Sequence, residues 1–193
     1  MRARKTLVAA CAGAALLAGC SSSSSSGRTA TGSSSGSAAP ASTTGGSAGA
    51  AGGSGAALFA AGPVPAVSGA ADLSKEPTIS AGTGTPPARL TGRDLVVGTG
   101  TAAGPNSKVK VQYVGALYST GKVFDASWTD SGPTSFSLSG VIPGFKDAII
   151  GMKVGGRREI VIPPAEGYGA AGSPPVIPPN STLVFVIDLL SVS

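Results

Sequence analysis

Residues 141–155 read VIPGFKDAIIGMKVG. Phe145, Ala148, Ile149 and Met152 fall at i, i+3, i+4 and i+7, a single apolar stripe at helical spacing, while Lys146, Asp147 and Lys153 lie away from it. Pro143 suits the first helical turn, where its missing N–H matters least. Gly151, or Gly155 if the helix runs longer, suits the left-handed residue that ends it. A helix this short is marginal in isolation. It exists only if something covers its stripe, and everything around it reads as strand.

Working outward, KVKVQYVGAL (108–117) alternates, with Val109, Val111 and Tyr113 facing one way and Lys108, Lys110 and Gln112 the other. STGK (119–122) reads as a hairpin loop leading into Val123-Phe124-Asp125. DLVVG (94–98) opens the first clear strand. TSFSLS (134–139) turns Phe136 and Leu138 inward, and REIVI (158–162) puts Ile160 and Ile162 on one face. TLVFVIDLLSV (182–192) is apolar on both faces for most of its length, as a central strand would be. The alternation elsewhere predicts an antiparallel sheet with one wet face, and the pair Arg157-Arg158 reads as a solvated strand edge. A curved antiparallel sheet wrapped around one helix is an α+β architecture. So short a helix cannot fill both ends of the concavity. Apolar side chains near its start should therefore line a hollow rather than a sealed core.

The N-terminal part has a different character. MRARKTLVAACAGAALLAGC carries a basic start at Arg2, Arg4 and Lys5, then an apolar run too short to span a bilayer comfortably. Leu17-Ala18-Gly19-Cys20 resembles the bacterial lipobox, in which cleavage falls before the cysteine and that cysteine is lipidated. The plainer reading is a secretory signal with a chance cysteine. We read residues 1–19 as a lipoprotein signal peptide, Cys20 as the lipidation site, and 20–73 as a Ser/Gly/Ala-rich tether that buries too little to order itself. A tether of about fifty residues spans roughly 35–45 Å, at about 5–6 Å × √n. The folded domain is then 74–193. It is expected on the outer face of a bacterial cytoplasmic membrane, held by its lipid. Cys11 goes with the signal, leaving no disulfide, so the domain must rely on packing.

Composition excludes much chemistry. There is no histidine, which removes Ser-His-Asp and Cys-His nucleophilic sites and most zinc sites. GTGTAAG (98–104) lacks the lysine of a phosphate loop. Asp125 and Asp130 are near in sequence, but Phe124 and Trp128 beside them suit packing, and no second carboxylate cluster supports a glycosidase. No metal and no cofactor is expected. From Lys75 onward ten Lys and Arg face eight Asp and Glu, a net of +2 within the chain's +5, which is no nucleic-acid footprint. What remains is chemistry by shape, aromatic rings and a few hydrogen bonds.

VQYVGAL, GKVFDAS, VIPGF, GMKVGG and above all PPAEGYGAAGSPPVIPPNSTLVFVIDLL together resemble the FKBP-type peptidyl-prolyl cis-trans isomerases, from about Asp94 to the C-terminus. The resemblance implies a strongly bent five- to six-stranded antiparallel sheet around one short helix. It also implies a site. Asp125 corresponds to the family's buried carboxylate, the Ile142 backbone N–H to a donor toward a substrate carbonyl, and Tyr168 to a hydroxyl that bonds the ligand. Tyr113 and Phe124 stand as pocket walls, Phe145 as the floor, Val141 beside the helix start, Val176 and Ile177 on the far rim, and Phe185 at the back. Tyr113, Ile142, Phe145 and Phe185 also read as plain core residues, Phe185 nearly as well as a pocket wall, whereas Tyr168, between glycines in a loop, fits a core least. Phe145 stands where the family more often has Trp, Thr134 where many members have an aromatic, Asp130 where an Arg is frequent, and Ser173 where a His is frequent. The implied partners are X-Pro bonds of unfolded or exported polypeptides, and macrolides such as tacrolimus and rapamycin, with the protein acting as a monomer. The alternative is a non-catalytic proline-turn binding module or holdase chaperone.

Overall fold

The computed structural model describes Phe59, residues 62–129 and residues 132–193. The signal peptide, Cys20, most of the tether and Asp130 lie outside the described residues.

Eight strands and one α-helix follow in order among the described residues: β1 (Val67–Ser68), β2 (Thr78–Ile79), β3 (Thr91–Val96), β4 (Lys108–Leu117), β5 (Val123–Ala126), β6 (Thr134–Ser137), α1 (Pro143–Ile149), β7 (Arg157–Ile162) and β8 (Leu183–Val192). Six of them make one sheet in the order β3-β7-β8-β4-β5, with β6 paired to the first half of β4 and β5 to its second half. Every pairing is antiparallel. Register shifts at Asp94/Val96, Lys110/Val111 and Gly115/Ala116 bend the strands, since an extra residue on one side of a ladder forces a turn of the chain. The expected α+β sheet around one short helix is what forms. β8, apolar on both faces, lies between β7 and β4.

α1 lays Phe145, Ala148 and Ile149 against Val111, Tyr113, Ile160, Ile162, Phe185 and Ile187 of the sheet. It is shorter than its stripe. Ile150 leaves the helical region, Gly151 takes φ +78°, and Met152 packs into the same core from beyond the helix end. β3 begins at Thr91, earlier than the run DLVVG implies.

Two expectations fail, the first of them on the opposite face. That face is not wet. Val114, Ala116, Tyr118, Ala126, Val161, Val184 and Val186 are buried there with Ile79, and Val64, Val67, Leu95 and Trp128 pack against them. The cover is residues 62–83, a strap carrying the small hairpin β1–β2. The strap crosses the boundary drawn at residue 73. Its Val64, Val67 and Ile79 are isolated apolar residues in a Gly/Ser/Ala-rich run and carry no periodic signal.

Nor do Arg157 and Arg158 line a solvated edge, for both are buried. Arg157 donates to Asp188 Oδ2 at 2.6 Å, to the Gly69 carbonyl at 2.7 Å and to the Lys75 carbonyl at 3.1 Å, so it clamps the strap as it pairs. Arg158 faces the other way. It donates to both oxygens of Asp94 at 2.6 and 3.1 Å and to the Ala148 carbonyl at 2.7 Å, satisfying an orphan acceptor at the end of α1. The Phe59 ring lies 5.1 Å from its guanidinium. Alternation puts adjacent arginines on opposite faces, and both faces are covered.

Candidate active site

The site grows from β4. Tyr113 points to the helix face and donates its hydroxyl to Asp125 Oδ2 at 2.7 Å. Asp125 is on β5 and almost fully buried. A turn after β5 fixes this pair from below: the Tyr113 N–H donates to Ser127 Oγ at 2.8 Å, the Ser127 N–H to the Tyr113 carbonyl at 3.0 Å, and Ser127 Oγ to Gln112 Oε1 at 2.6 Å. The sequence reading gives Ser127 no role and Gln112 only a place on the far face of β4. A serine two residues after Asp125 is an ordinary turn signal, and nothing in it announces a partner on β4.

Five rings meet above the sheet. Phe145 stands edge-on to Tyr113, Phe136 and Phe185 at centroid distances of 6.2, 6.0 and 5.4 Å. Phe185 meets Phe124 edge-on at 5.5 Å, and Tyr113 is 5.9 Å from Phe136. Edge-to-face packing of this kind is the favoured arrangement of aromatic quadrupoles. Phe145 and Phe185 are fully buried and Tyr113 nearly so, whereas Phe124 is half-buried and forms an accessible wall.

The helix start supplies the next side. Val141 is half-buried, and Ile142, 8% exposed, is the residue before the first helical turn. The Ile142 carbonyl accepts from the N–H groups of Phe145 and Lys146, while its own N–H makes no hydrogen bond among the described residues. Gly144 permits the close seat of this turn, since a Cβ there would stand 2.5 Å from Ile162 Cγ2. Its signal, a glycine directly after a first-turn proline, reads equally as a cap.

The last side is loop. A 3₁₀ turn at Pro164–Glu166 leads to Gly167, Tyr168 and Gly169, and the Gly169 N–H returns to the Pro164 carbonyl at 2.8 Å. Tyr168 is half-buried and packs on the same core as the rings. Ser173 and Ile177 exchange backbone hydrogen bonds at 2.8 and 2.9 Å, which buries Ile177 and leaves Val176 half-exposed beside it. One hydrophobic cluster thus holds Tyr113, Phe124, Val141, Ile142, Phe145, Tyr168, Ile177 and Phe185. Asp125 joins it through Tyr113, and Val176 lies next to it along the chain. Phe136 belongs to the ring group as well, although alternation marks it only as core.

The sequence pattern of the FKBP-type peptidyl-prolyl cis-trans isomerases matches residues 100–190. A probable FK506-binding protein of Corynebacterium glutamicum is 47% identical over 118 residues, covering 61% of this chain and 98% of the relative. An FK506-binding protein of Streptomyces anulatus is 43% identical over 121 residues, with the same two coverages. Among solved structures, FkpA from Escherichia coli is similar at 46% identity and a TM-score of 0.51, over 54% of this chain and 48% of FkpA. A peptidyl-prolyl cis-trans isomerase from Pseudomonas syringae pv. tomato is similar at 38% identity and a TM-score of 0.50, over 54% of this chain and 75% of that one. Matched along nearly the full length of two such relatives, and folded as a bent antiparallel sheet on one short helix, the chain belongs to the family of FKBP-type peptidyl-prolyl cis-trans isomerases.

Proposed function

We propose that the protein isomerises X-Pro bonds of exported polypeptides at the outer face of a bacterial cytoplasmic membrane, anchored there by lipid on Cys20. The ring group carries this reading. It is an apolar, aromatic surface whose wall at Phe124 is accessible, beside an Ile142 N–H that makes no hydrogen bond among the described residues.

The chemistry follows from the amide. Rotation about a prolyl bond is slow because resonance must be broken, at a cost of about 18–20 kcal/mol. The twisted amide has lost that resonance and has a less polar carbonyl. An apolar box holds it better than the planar form, which gives up more hydration on entry. Phe145 would floor the pyrrolidine ring, with Tyr113, Phe124 and Phe185 around it. The Ile142 N–H and the Tyr168 hydroxyl would hold the peptide in a turn, with Val141, Val176 and Ile177 at the rim. Asp125 would orient Tyr113 rather than move a proton. Lowering the barrier by ~6 kcal/mol corresponds to about a 10⁴-fold acceleration. Tacrolimus and rapamycin would compete for the same box.

The test is the isomerisation rate of prolyl peptides with residues 20–193 carrying Cys20→Ser. We expect turnover that is flat across neutral pH, inhibited by tacrolimus, and reduced less than about tenfold in Asp125→Ala, a loss of under ~1.4 kcal/mol. A bell-shaped pH profile with a large loss in that variant would reject the mechanism. Peptide binding without turnover would leave the non-catalytic module instead.

A further inference from the structure

Gly115 sits on β4 between Asp125 of β5 and Phe185 of β8, on the same face as Tyr113. Its backbone is ordinary strand, outside the left-handed region, so it needs no glycine for conformation. The need is spatial. A Cβ at Gly115 would stand 2.7 Å from Phe185 Cε1, and 2.8 and 3.0 Å from Phe124 Cζ and Cε2. Both rings rest directly on the bare backbone, which is how they meet edge-on at 5.5 Å.

Carbon atoms pack at about 3.5–4.0 Å, so a methyl here must lift the rings by roughly 1 Å. Phe185 has little room to give, being fully buried and boxed by Tyr113 and Phe145 at 6.4 and 5.4 Å. Phe124 is half-buried and yields more easily. A methyl on β4 would push it away from that strand.

We propose that Gly115 sets the size of the ring that the prolyl site admits, by letting the edge of Phe124 rest against β4. This rests on the reading of Phe124, Phe145 and Phe185 as the walls of that site. The consequence is selective. A methyl that narrows the box by about one carbon penalises a five-membered proline ring more than the four-membered azetidine analogue, which is one methylene smaller.

The experiment compares kcat/KM for matched peptides carrying proline or azetidine-2-carboxylate, using residues 20–193 with Cys20→Ser. In Gly115→Ala the proline-to-azetidine ratio should fall by at least about tenfold, the usual range for one carbon in an apolar pocket. In a Phe124→Leu background the same substitution should change the ratio by less than about threefold, because the ring that transmits the push is gone. That double variant lacks the 2.8 and 3.0 Å contacts and keeps the 2.7 Å one with Phe185, so failure of both variants to fold puts the push on Phe185 and overturns the route through Phe124. An active parent with an unchanged ratio overturns the role of Gly115 and leaves the isomerase reading standing. A full-sized drop in the Phe124→Leu background overturns the route through Phe124. A parent inactive on both peptides sinks the isomerase reading, and this inference with it.

Discussion

The two faces of this sheet obey the same alternation and end in opposite states. On the helix face, aromatic rings gather under a cover of only seven residues, and Phe124, Val141 and Tyr168 remain half-buried at its margin. On the strap face the side chains are mostly Val, Ala and Ile, the cover runs across residues 62–83, and the Arg157–Asp188 pair is sealed beneath it. On the proposed reading, a cover too short for its sheet leaves room for a ligand. A cover that fits leaves none and supplies stability instead. Changes to the strap face should therefore move stability and spare turnover, whereas changes to the helix face should move turnover.

The largest effect should come from removing the strap. A chain shortened to 84–193 exposes the face around Val114, Tyr118, Val161 and Val184, and deletes the carbonyls that Arg157 bonds. Losing the burial of Ile79 and its neighbours should cost on the order of 5 kcal/mol in urea unfolding. A cost below about 1 kcal/mol would show the strap to be a passenger. Next, Phe145→Ala removes the fully buried ring at the centre of the helix face. It should lower turnover per folded molecule by about 100-fold, or ~2.7 kcal/mol in barrier, as well as destabilising the fold. Turnover near that of the parent would erase the distinction between the faces.

Asp188→Ala probes the same distinction from the strap side. It leaves the buried Arg157 guanidinium without its carboxylate and should cost about 3–5 kcal/mol of stability with turnover per folded molecule unchanged. The smallest effect is one of pH. Burial pushes the Glu159 carboxyl above its ordinary 4.5, opposed by Arg93 at 2.8 Å, and Glu159 Oε1 has no partner among the described residues. A carboxyl whose folded value is raised contributes stability in full below about 4.5 and loses it as pH rises through the raised value. Urea midpoints of the parent should therefore fall relative to Glu159→Gln as pH rises from 4.5. A gap moving the other way would mean that Arg93 dominates over burial.

How far the sequence could be read depended on period. The stripe Phe145-Ala148-Ile149, the alternation of β4 and the two-sided run of β8 each repeat at the spacing of their element, and all three elements formed where they were read. Ser127 and the strap residues Val64, Val67 and Ile79 repeat nothing, and the alternation that places Gln112 and Gly115 says nothing of what they meet. Ser127 and Gln112 matter because strands distant in sequence pair. Gly115 matters for an absent atom. Arg157 and Arg158 were misread for the same reason: adjacent charges signal water unless partners 31 and 64 residues away are already in place.

Sequence by itself determined the six strands of the large sheet, the short helix that they cover, the family resemblance and the residue types of the candidate site. Only the tertiary structure decided which face is closed, which rings touch, and that two arginines lie inside. Periodicity is a property of a short window, and a few residues suffice to set which way each side chain points. Closure and contact are long-range sums over pairings between β4, β5, β7, β8 and a strap with no period of its own, so they exist only once the chain has folded.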